Sequence, residues 1–318
     1  MGDITPPSSQ HLIRTCSIWR ALEVVGDTPT LLILEASLLG DRRFDQFRRR
    51  TGLLKALLSD RLKRLVNAHV LEKRQYSTHP PRDDYVLLEK GRALYWTALM
   101  LLRWEQEWGD REGKMVVELT HRNCGKRFIP EPACAACKGT VNASAVDWRE
   151  GPGVGWMAPI YSRRRQQRDS SEGTALFESA AQLMGDRWAS LIMRSIFTGI
   201  NRFDDIRRDT AIATNVLTER LNWLVQFGVI RQVQYADNPP RLEYRLRRKG
   251  IEYYPALLML MQWGDRYYAA PEGPPLHLSH RDCNNRLEAV VVCSECREPV
   301  YPNDVMFNVQ DTHGGNPT

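Results

Sequence analysis

Residues 203–228 read FDDIRRDTAIATNVLTERLNWLVQFG, and their pattern decides the fold. Phe203 and Ile206 stand three apart, on one face of a short helix ending near Arg208. Asp209 to Ala213 make a turn. Thr214 or Asn215 then offers a side-chain oxygen to cap a second helix, and Gly228 stands where a C-terminal cap belongs. Val216, Leu217, Leu221, Leu224 and Val225 fall on one side of that second helix and leave its outer face polar. A short helix, a turn and a helix with a polar face form a unit able to enter a DNA major groove about 12 Å wide.

Working outward, Val229 to Tyr235 and Leu242 to Leu246 are β-rich. They flank Ala236-Asp237-Asn238-Pro239-Pro240-Arg241, a hairpin connection with a stiff tip. A long amphipathic helix is expected from about Lys249 to Tyr268. Upstream, Phe177 to Met184 reads as a short helix, and Asp186 as the N-cap of a helix running to Gly199. Helix, helix, short helix, turn, helix and hairpin is the order of a winged helix-turn-helix domain.

The whole pattern occurs twice. A shift of 159 positions lays Cys16–Val146 on Ala175–Val305 without a gap, with 41 identities in 131 positions. The identities include Gly26-Asp27 with Gly185-Asp186, Arg43-Phe44-Asp45 with Arg202-Phe203-Asp204, Tyr76 with Tyr235, Lys90-Gly91 with Lys249-Gly250, and Trp104 with Trp263. The fold class expected is mainly α with small β-hairpins (α+β). It comprises winged domains at 12–110 and 174–269, zinc-ribbon-like tails at 115–147 and 274–307, and a linker at 148–173. The linker assignment rests on Gly151-Pro152-Gly153, Arg163-Arg164-Arg165 and Ser170-Ser171.

The formal net charge of +6 over 318 residues weakly favours a polyanionic partner. No run approaches ~18 apolar residues, so no membrane helix is expected. Met1 to Gln10 lacks the basic start and apolar run of a secretion signal. A cytoplasmic, nucleoid-associated protein follows as the expectation, and in that reducing compartment clustered cysteines read first as metal ligands.

Each tail carries His-x2-Cys-x9-Cys-x2-Cys: His121, Cys124, Cys134 and Cys137, then His280, Cys283, Cys293 and Cys296. The spacing predicts one structural Zn²⁺ per tail, because thiolate and imidazole suit a tetrahedral d¹⁰ ion. Four protein ligands leave no position for a substrate water. Reduced cysteines in a plain ribbon, or a redox pair, are the alternatives. His277 reads as a bystander.

Both repeats resemble HxlR-type regulators, relatives of the MarR group, over about 100 residues each. The carriers are Gly185-Asp186-Arg187-Trp188, Arg202-Phe203, Leu217-Thr218-Glu219-Arg220-Leu221, Pro239-Pro240-Arg241-Leu242-Glu243-Tyr244, Lys249-Gly250 and Gln262-Trp263-Gly264. The resemblance implies a repressor that binds palindromic operators as a homodimer. It also implies an oxidant-sensing role for Cys16, against which stands the inert burial usual for a free cysteine. Repeat one departs from the pattern: Pro29 replaces the tryptophan, and Asp83-Asp84 follow the wing arginine, where they would repel phosphate.

By position, the DNA-reading candidates are Lys55, Ser59, Asp60 and Lys63 in repeat one, and Thr214, Asn215, Thr218, Glu219 and Asn222 in repeat two. Asparagine can pair bidentately with adenine, and lysine can donate to guanine. Arg82 and Arg241 at the wing tips are expected at phosphate or in the minor groove, with Arg48, Arg49, Arg207 and Arg208 as phosphate clamps. The two recognition helices differ, which predicts an asymmetric site with half-sites about 10 bp apart if the domains dock as a pseudo-dimer. Pairing within one chain and a homodimer both remain open.

An enzyme is disfavoured: no phosphate-cradling glycine loop is present, and no nucleophile–base pair recurs in both copies. A protein-interaction module built from hairpins and ribbons is the remaining rival, and steep salt dependence of DNA binding separates the two. Trp96, Trp104, Tyr254 and Trp263 either line a pocket for an unknown small-molecule effector or form interface core.

Overall fold

The computed structural model describes residues 12–79, 81–109, 115–158, 175–237 and 240–311. Repeat one runs β1 (Ile13–Arg14), α1 (Ser17–Val25), α2 (Thr28–Leu38), α3 (Phe44–Thr51), α4 (Lys55–Asn67), β2 (Leu71–Thr78), β3 (Pro81–Leu87), α5 (Glu89–Arg92) and α6 (Tyr95–Trp108). Its tail holds β4 (Met115–His121), β5 (Arg127–Phe128), β6 (Pro130–Cys134), β7 (Val146–Glu150) and β8 (Trp156–Met157). Repeat two repeats the order with α7 (Glu178–Gly185), α8 (Arg187–Phe197), α9 (Phe203–Thr210), α10 (Thr214–Gln226), β9 (Ile230–Asp237), β10 (Pro240–Leu246), α11 (Arg248–Ile251) and α12 (Tyr254–Tyr268). Its tail holds β11 (Leu276–His280), β12 (Ala289–Cys293) and β13 (Val305–Asp311). Mixed helices with small antiparallel sheets match the expected class, and both winged helix-turn-helix units are present.

The helix-turn-helix cores follow from the leucine spacing. Leu58, Leu62 and Leu65 of α4 and Leu217, Leu221 and Leu224 of α10 are fully buried, one stripe per helix. The recurring Asp27 and Asp186 each do two jobs. Oδ1 of Asp27 accepts the Thr30 N–H at 2.9 Å and Oδ1 of Asp186 accepts that of Ala189 at 2.9 Å, capping α2 and α8. Oδ2 meets the guanidinium of Arg61 at 2.8 Å in repeat one and of Arg220 at 2.6 Å in repeat two. The second helix of each helix-turn-helix, α4 or α10, is thereby tied to the helix beneath it. Lys-Gly recurs for a steric reason: a Cβ at Gly91 or Gly250 would sit 2.4 or 2.2 Å from the carbonyl oxygen of Val70 or Val229.

Three local expectations differ from the structure. Ala213, not Thr214 or Asn215, occupies the N-cap of α10, and no side chain caps it. The closing helix is broken into α11 and α12; repeat one breaks at the same place between α5 and α6 with Trp96 in the position of Pro255, so the proline suits the start of α12 without causing the break. Part of the expected linker is sheet: β7 pairs with β11, and β8 with β1. The hairpin-tip residues Pro80, Asn238 and Pro239 lie outside the described residues.

The two repeats pack on one another about a pseudo-twofold axis. Trp104 of α6 donates its indole N–H to the Lys249 carbonyl at 2.8 Å, and Trp263 of α12 donates to the Lys90 carbonyl at 2.9 Å. These are equivalent contacts made in both directions, as in an isologous dimer. The tails are interwoven. β4 pairs with β13 and β7 with β11, each a strand of one repeat against a strand of the other. β6 pairs with β12 about Pro132 and Val291, which are equivalent positions facing each other on the axis.

Some inter-repeat contacts break the symmetry, among them those at the start of α7. No side chain of its own caps α7. Amides at its start are met from repeat one: Glu35 accepts the N–H of Leu176 at 2.8 Å, just before the helix, and of the N-cap Phe177 at 3.3 Å, and Glu105 accepts that of Ala180 in the first turn at 2.7 Å. Burial raises Glu35 to about 7, only partly offset by those two N–H groups. An acid with a raised folded-state pKa binds more protons folded than unfolded. Its stabilisation is therefore full below about 4.5 and is lost as pH rises through about 7. Between pH 5 and 8, Glu35→Gln should therefore gain up to roughly 3 kcal/mol relative to wild type. Urea unfolding of both proteins at each pH measures this; parallel stability profiles would refute it.

Candidate nucleic-acid interface and metal quartets

The predicted readers are on the surface. Lys55, Ser59 and Lys63 are exposed at intervals of four on α4, and Thr214, Asn215, Thr218, Glu219 and Asn222 are exposed on α10. Asp60 is not a free outward group: it is half-buried and pairs with Arg61 and with Arg64 at 3.1 Å. Leu54, just before α4, is 47% exposed. Sequence reading passed over it, yet at this place an apolar side chain suits a thymine methyl.

Arg82 and Arg241 are exposed beside the bulges in their hairpins. Arg48 is exposed on α3. Arg49 pairs with Asp45 at 3.5 Å, Arg207 with Asp204 at 3.9 Å, and Arg208 with Asp205. Such exposed pairs contribute about 0–1 kcal/mol, so they do not withhold the arginines from phosphate. The acids of wing one are matched by bases: Asp83 meets Lys73 at 2.9 Å and Asp84 meets Arg43 at 3.8 Å. The repulsion expected from them is correspondingly reduced.

A pair of contacts went unassigned in the sequence. The Arg43 guanidinium lies 4.9 Å from the Tyr76 ring centroid, and that of Arg202 lies 4.5 Å from the Tyr235 ring. Both arginines precede the first helix of the helix-turn-helix, and both tyrosines are on the wing. Their joint retention in the two repeats was the available signal.

The cysteine–histidine residues converge in two quartets, and the partners correct the expectation of one complete site per tail. One quartet is His121, Cys124, Cys293 and Cys296; the other is Cys134, Cys137, His280 and Cys283. Each takes its His-x2-Cys half from one repeat and its Cys-x2-Cys half from the other. The cause is β6. An extended strand of five residues spans roughly 17 Å and carries Cys134 away from Cys124. Antiparallel β12 brings Cys293 back beside Pro130.

In the first quartet His121 Nδ1 lies 3.2 Å from Cys296 Sγ and 3.5 Å from Cys124 Sγ, and Cys124 Sγ lies 4.0 Å from Cys293 Sγ. In the second, His280 Nδ1 lies 3.2 Å from Cys137 Sγ and 3.6 Å from Cys283 Sγ, and Cys134 Sγ lies 4.0 Å from Cys283 Sγ. A tetrahedral zinc with bonds of about 2.3 Å to sulfur and 2.0–2.1 Å to nitrogen has edges of roughly 3.8 and 3.6 Å. The donor set fits such an ion in both places. The Asn285 backbone N–H, then the His280 ring, draw the Cys283 thiol down to about 6. Burial pushes Cys293 up to about 11. Cys16 is 4% exposed at the N-cap of α1 and belongs to neither quartet.

The expected pocket aromatics separate. Trp96 and Trp263 line a cleft of about 660 Å³ with Arg92, Arg266 and Arg286. Tyr254 lines a second, smaller cavity, and Trp104 is core.

Two helix-turn-helix units with exposed polar second helices, each followed by a hairpin that carries an exposed arginine, define a transcription regulator. The HxlR-like helix-turn-helix family matches residues 24–113 and 183–272, together more than half of the chain, and the chain belongs to that family in two tandem copies. Its relatives are named as regulators and not as enzymes. An uncharacterized HTH-type transcriptional regulator of Mycobacterium tuberculosis is 39% identical over 126 residues, 40% of this chain and 80% of the relative. One from Methanothermobacter thermautotrophicus is 37% identical over 91 residues, 28% of this chain and 70% of the relative. YdeP of Bacillus subtilis is 30% identical over 100 residues, 31% of this chain and 77% of the relative. No helix among the described residues is long and apolar enough to cross a membrane.

Proposed function

We propose that the chain binds double-stranded DNA sequence-specifically as an intramolecular pseudo-dimer, reads an asymmetric bipartite operator, and represses. The observation that carries this is the unlike chemistry at equivalent exposed positions: Lys55 against Thr214, Ser59 against Thr218, and Lys63 against Asn222. A symmetric homodimer would present the same side chains to both half-sites, whereas this pair asks for two different ones. Repression is the expectation that the family carries, and the site of action is the cytoplasmic nucleoid, where the operator lies. Zn²⁺ is the ion that the quartets suit, in a structural role, since four protein ligands close the coordination shell. No catalytic role is assigned.

Selection from a random DNA pool with zinc-loaded protein, followed by salt titration of the winning site, tests the reading. The expected result is one bipartite motif with unlike halves, bound more weakly as salt rises, by roughly one power of concentration per phosphate contacted. A perfect palindrome preferred as strongly as the asymmetric site would overturn the asymmetry. No enrichment would favour the protein-interaction reading.

A further inference from the structure

We propose that the two metal ions are clasps between the repeats, each held half by one repeat and half by the other, and that they load as a coupled pair. The proposal rests on the metal reading of the quartets and is independent of DNA binding.

Sequence separation makes the point. His121 and Cys296 are 175 residues apart, and Cys137 and His280 are 143 apart, yet each pair meets at 3.2 Å. An ion here closes the chain on itself at long range, as a crosslink between the two halves would. Neither half alone holds four donors in one place, because β6 and β12 are extended and each carries its Cys-x2-Cys end to the other repeat. Metal binding is therefore also assembly of the tail module.

Coupling follows from the shared strands. β6 ends in Cys134, a ligand of the second quartet, and β12 ends in Cys293, a ligand of the first. The two strands pair with each other, Cys134 opposite Ala289 and Cys293 opposite Pro130. An ion in either quartet fixes that register and so places two thiols of the other. The module is fastened to the helices on the pseudo-twofold axis. Gln262 of α12 exchanges two hydrogen bonds with the Ala289 backbone, at 2.9 and 2.7 Å. Arg103 of α6 donates to the Pro130 carbonyl at 3.0 Å, and Trp96 of α6 to the Val300 carbonyl at 2.7 Å. The clasps thus sit on the helix pair that joins the two winged domains.

Two double variants separate crossed sites from sites within each tail, and they use the less buried thiols. Cys124→Ser with Cys296→Ser removes two ligands of one quartet; Cys124→Ser with Cys137→Ser removes one from each quartet. Each full-length protein is titrated with Co²⁺, read by its thiolate charge-transfer and d–d absorption, with circular dichroism as the folding control. Wild type should take two ions. The first variant should keep one ion with the wild-type spectrum of a Cys3His site, whereas in the second each quartet keeps only two thiolates, so no ion retains the wild-type spectrum and the thiolate charge-transfer absorption per ion falls by about a third. The reverse order would overturn the crossing, and a wild type taking no ion would overturn the metal reading itself. Should either variant misfold, native mass spectrometry of wild type at half-saturation still decides the coupling. Independent sites put half of the chains in the one-ion state, whereas tenfold coupling leaves about a quarter there. A one-ion population at or above half would overturn coupled loading.

Discussion

Trp104→Ala should lower the stability of the folded chain by about 3–5 kcal/mol, the range for truncating a large buried aromatic. The ring is 2% exposed and reaches into the other repeat. It lies edge-on to Tyr253 at 5.2 Å and stacked on Phe227 at 6.1 Å, with the Lys249 ammonium 5.2 Å from its centroid. Alanine removes that area and also leaves the Lys249 carbonyl without its indole donor. Trp104→Phe keeps most of the area and loses only the hydrogen bond, so it should cost about 1–3 kcal/mol. Trp263→Ala, the equivalent change, should behave similarly, since Trp263 is 3% exposed and packs on Tyr267 and Tyr268. Urea unfolding followed by circular dichroism gives the numbers. Because both tryptophans join the repeats, affinity for a bipartite operator should fall further than affinity for an isolated half-site. A loss below about 1 kcal/mol for Trp104→Ala would show that the repeats do not depend on this contact.

The helix-turn-helix units were legible because their signals are local. Leucines at helical spacing, an aspartate before a helix, and a glycine after one each act within a few residues. The duplication extended that reading by marking the same positions twice. What escaped detection acts at a distance. His-x2-Cys and Cys-x2-Cys spacing states how many ligands each knuckle supplies, and says nothing about which knuckles share an ion; β6 decides that by carrying Cys134 to the far end of the sheet. The caps of α7 come from Glu35 and Glu105, whose carboxylates leave no trace beside the amides they bind. Ala213 defeats the capping rule because the extended backbone of the N-cap does not require a capping side chain. Arg43–Tyr76 and Arg202–Tyr235 were visible as repeated identities, but a cation on a ring is a contact between a helix start and a wing, and only the fold sets them together.

The separation of the two recognition helices can be tested on DNA one repeat at a time. Asn215 and Asn222 are exposed seven residues apart on α10, close to two turns, and so face the same groove. Asparagine to adenine is a bidentate contact, and each such pair discriminates by about 1–3 kcal/mol. Asn215→Ala with Asn222→Ala should therefore relax base preference at the second half-site by roughly 30-fold or more and leave the first half-site motif unchanged. The salt slope should stay as in wild type, because neither asparagine neutralises a phosphate. Arg241→Ala should do the opposite: a loss of affinity uniform across sequences, with the slope reduced by about one. Lys55→Ala with Lys63→Ala should act on the first half-site alone. Quantitative binding to a matrix of single-base variants at two salt concentrations resolves all three. If the asparagine variant weakened both half-sites equally, the two helices would not be reading separate sequences, and the asymmetric operator would fall with that result.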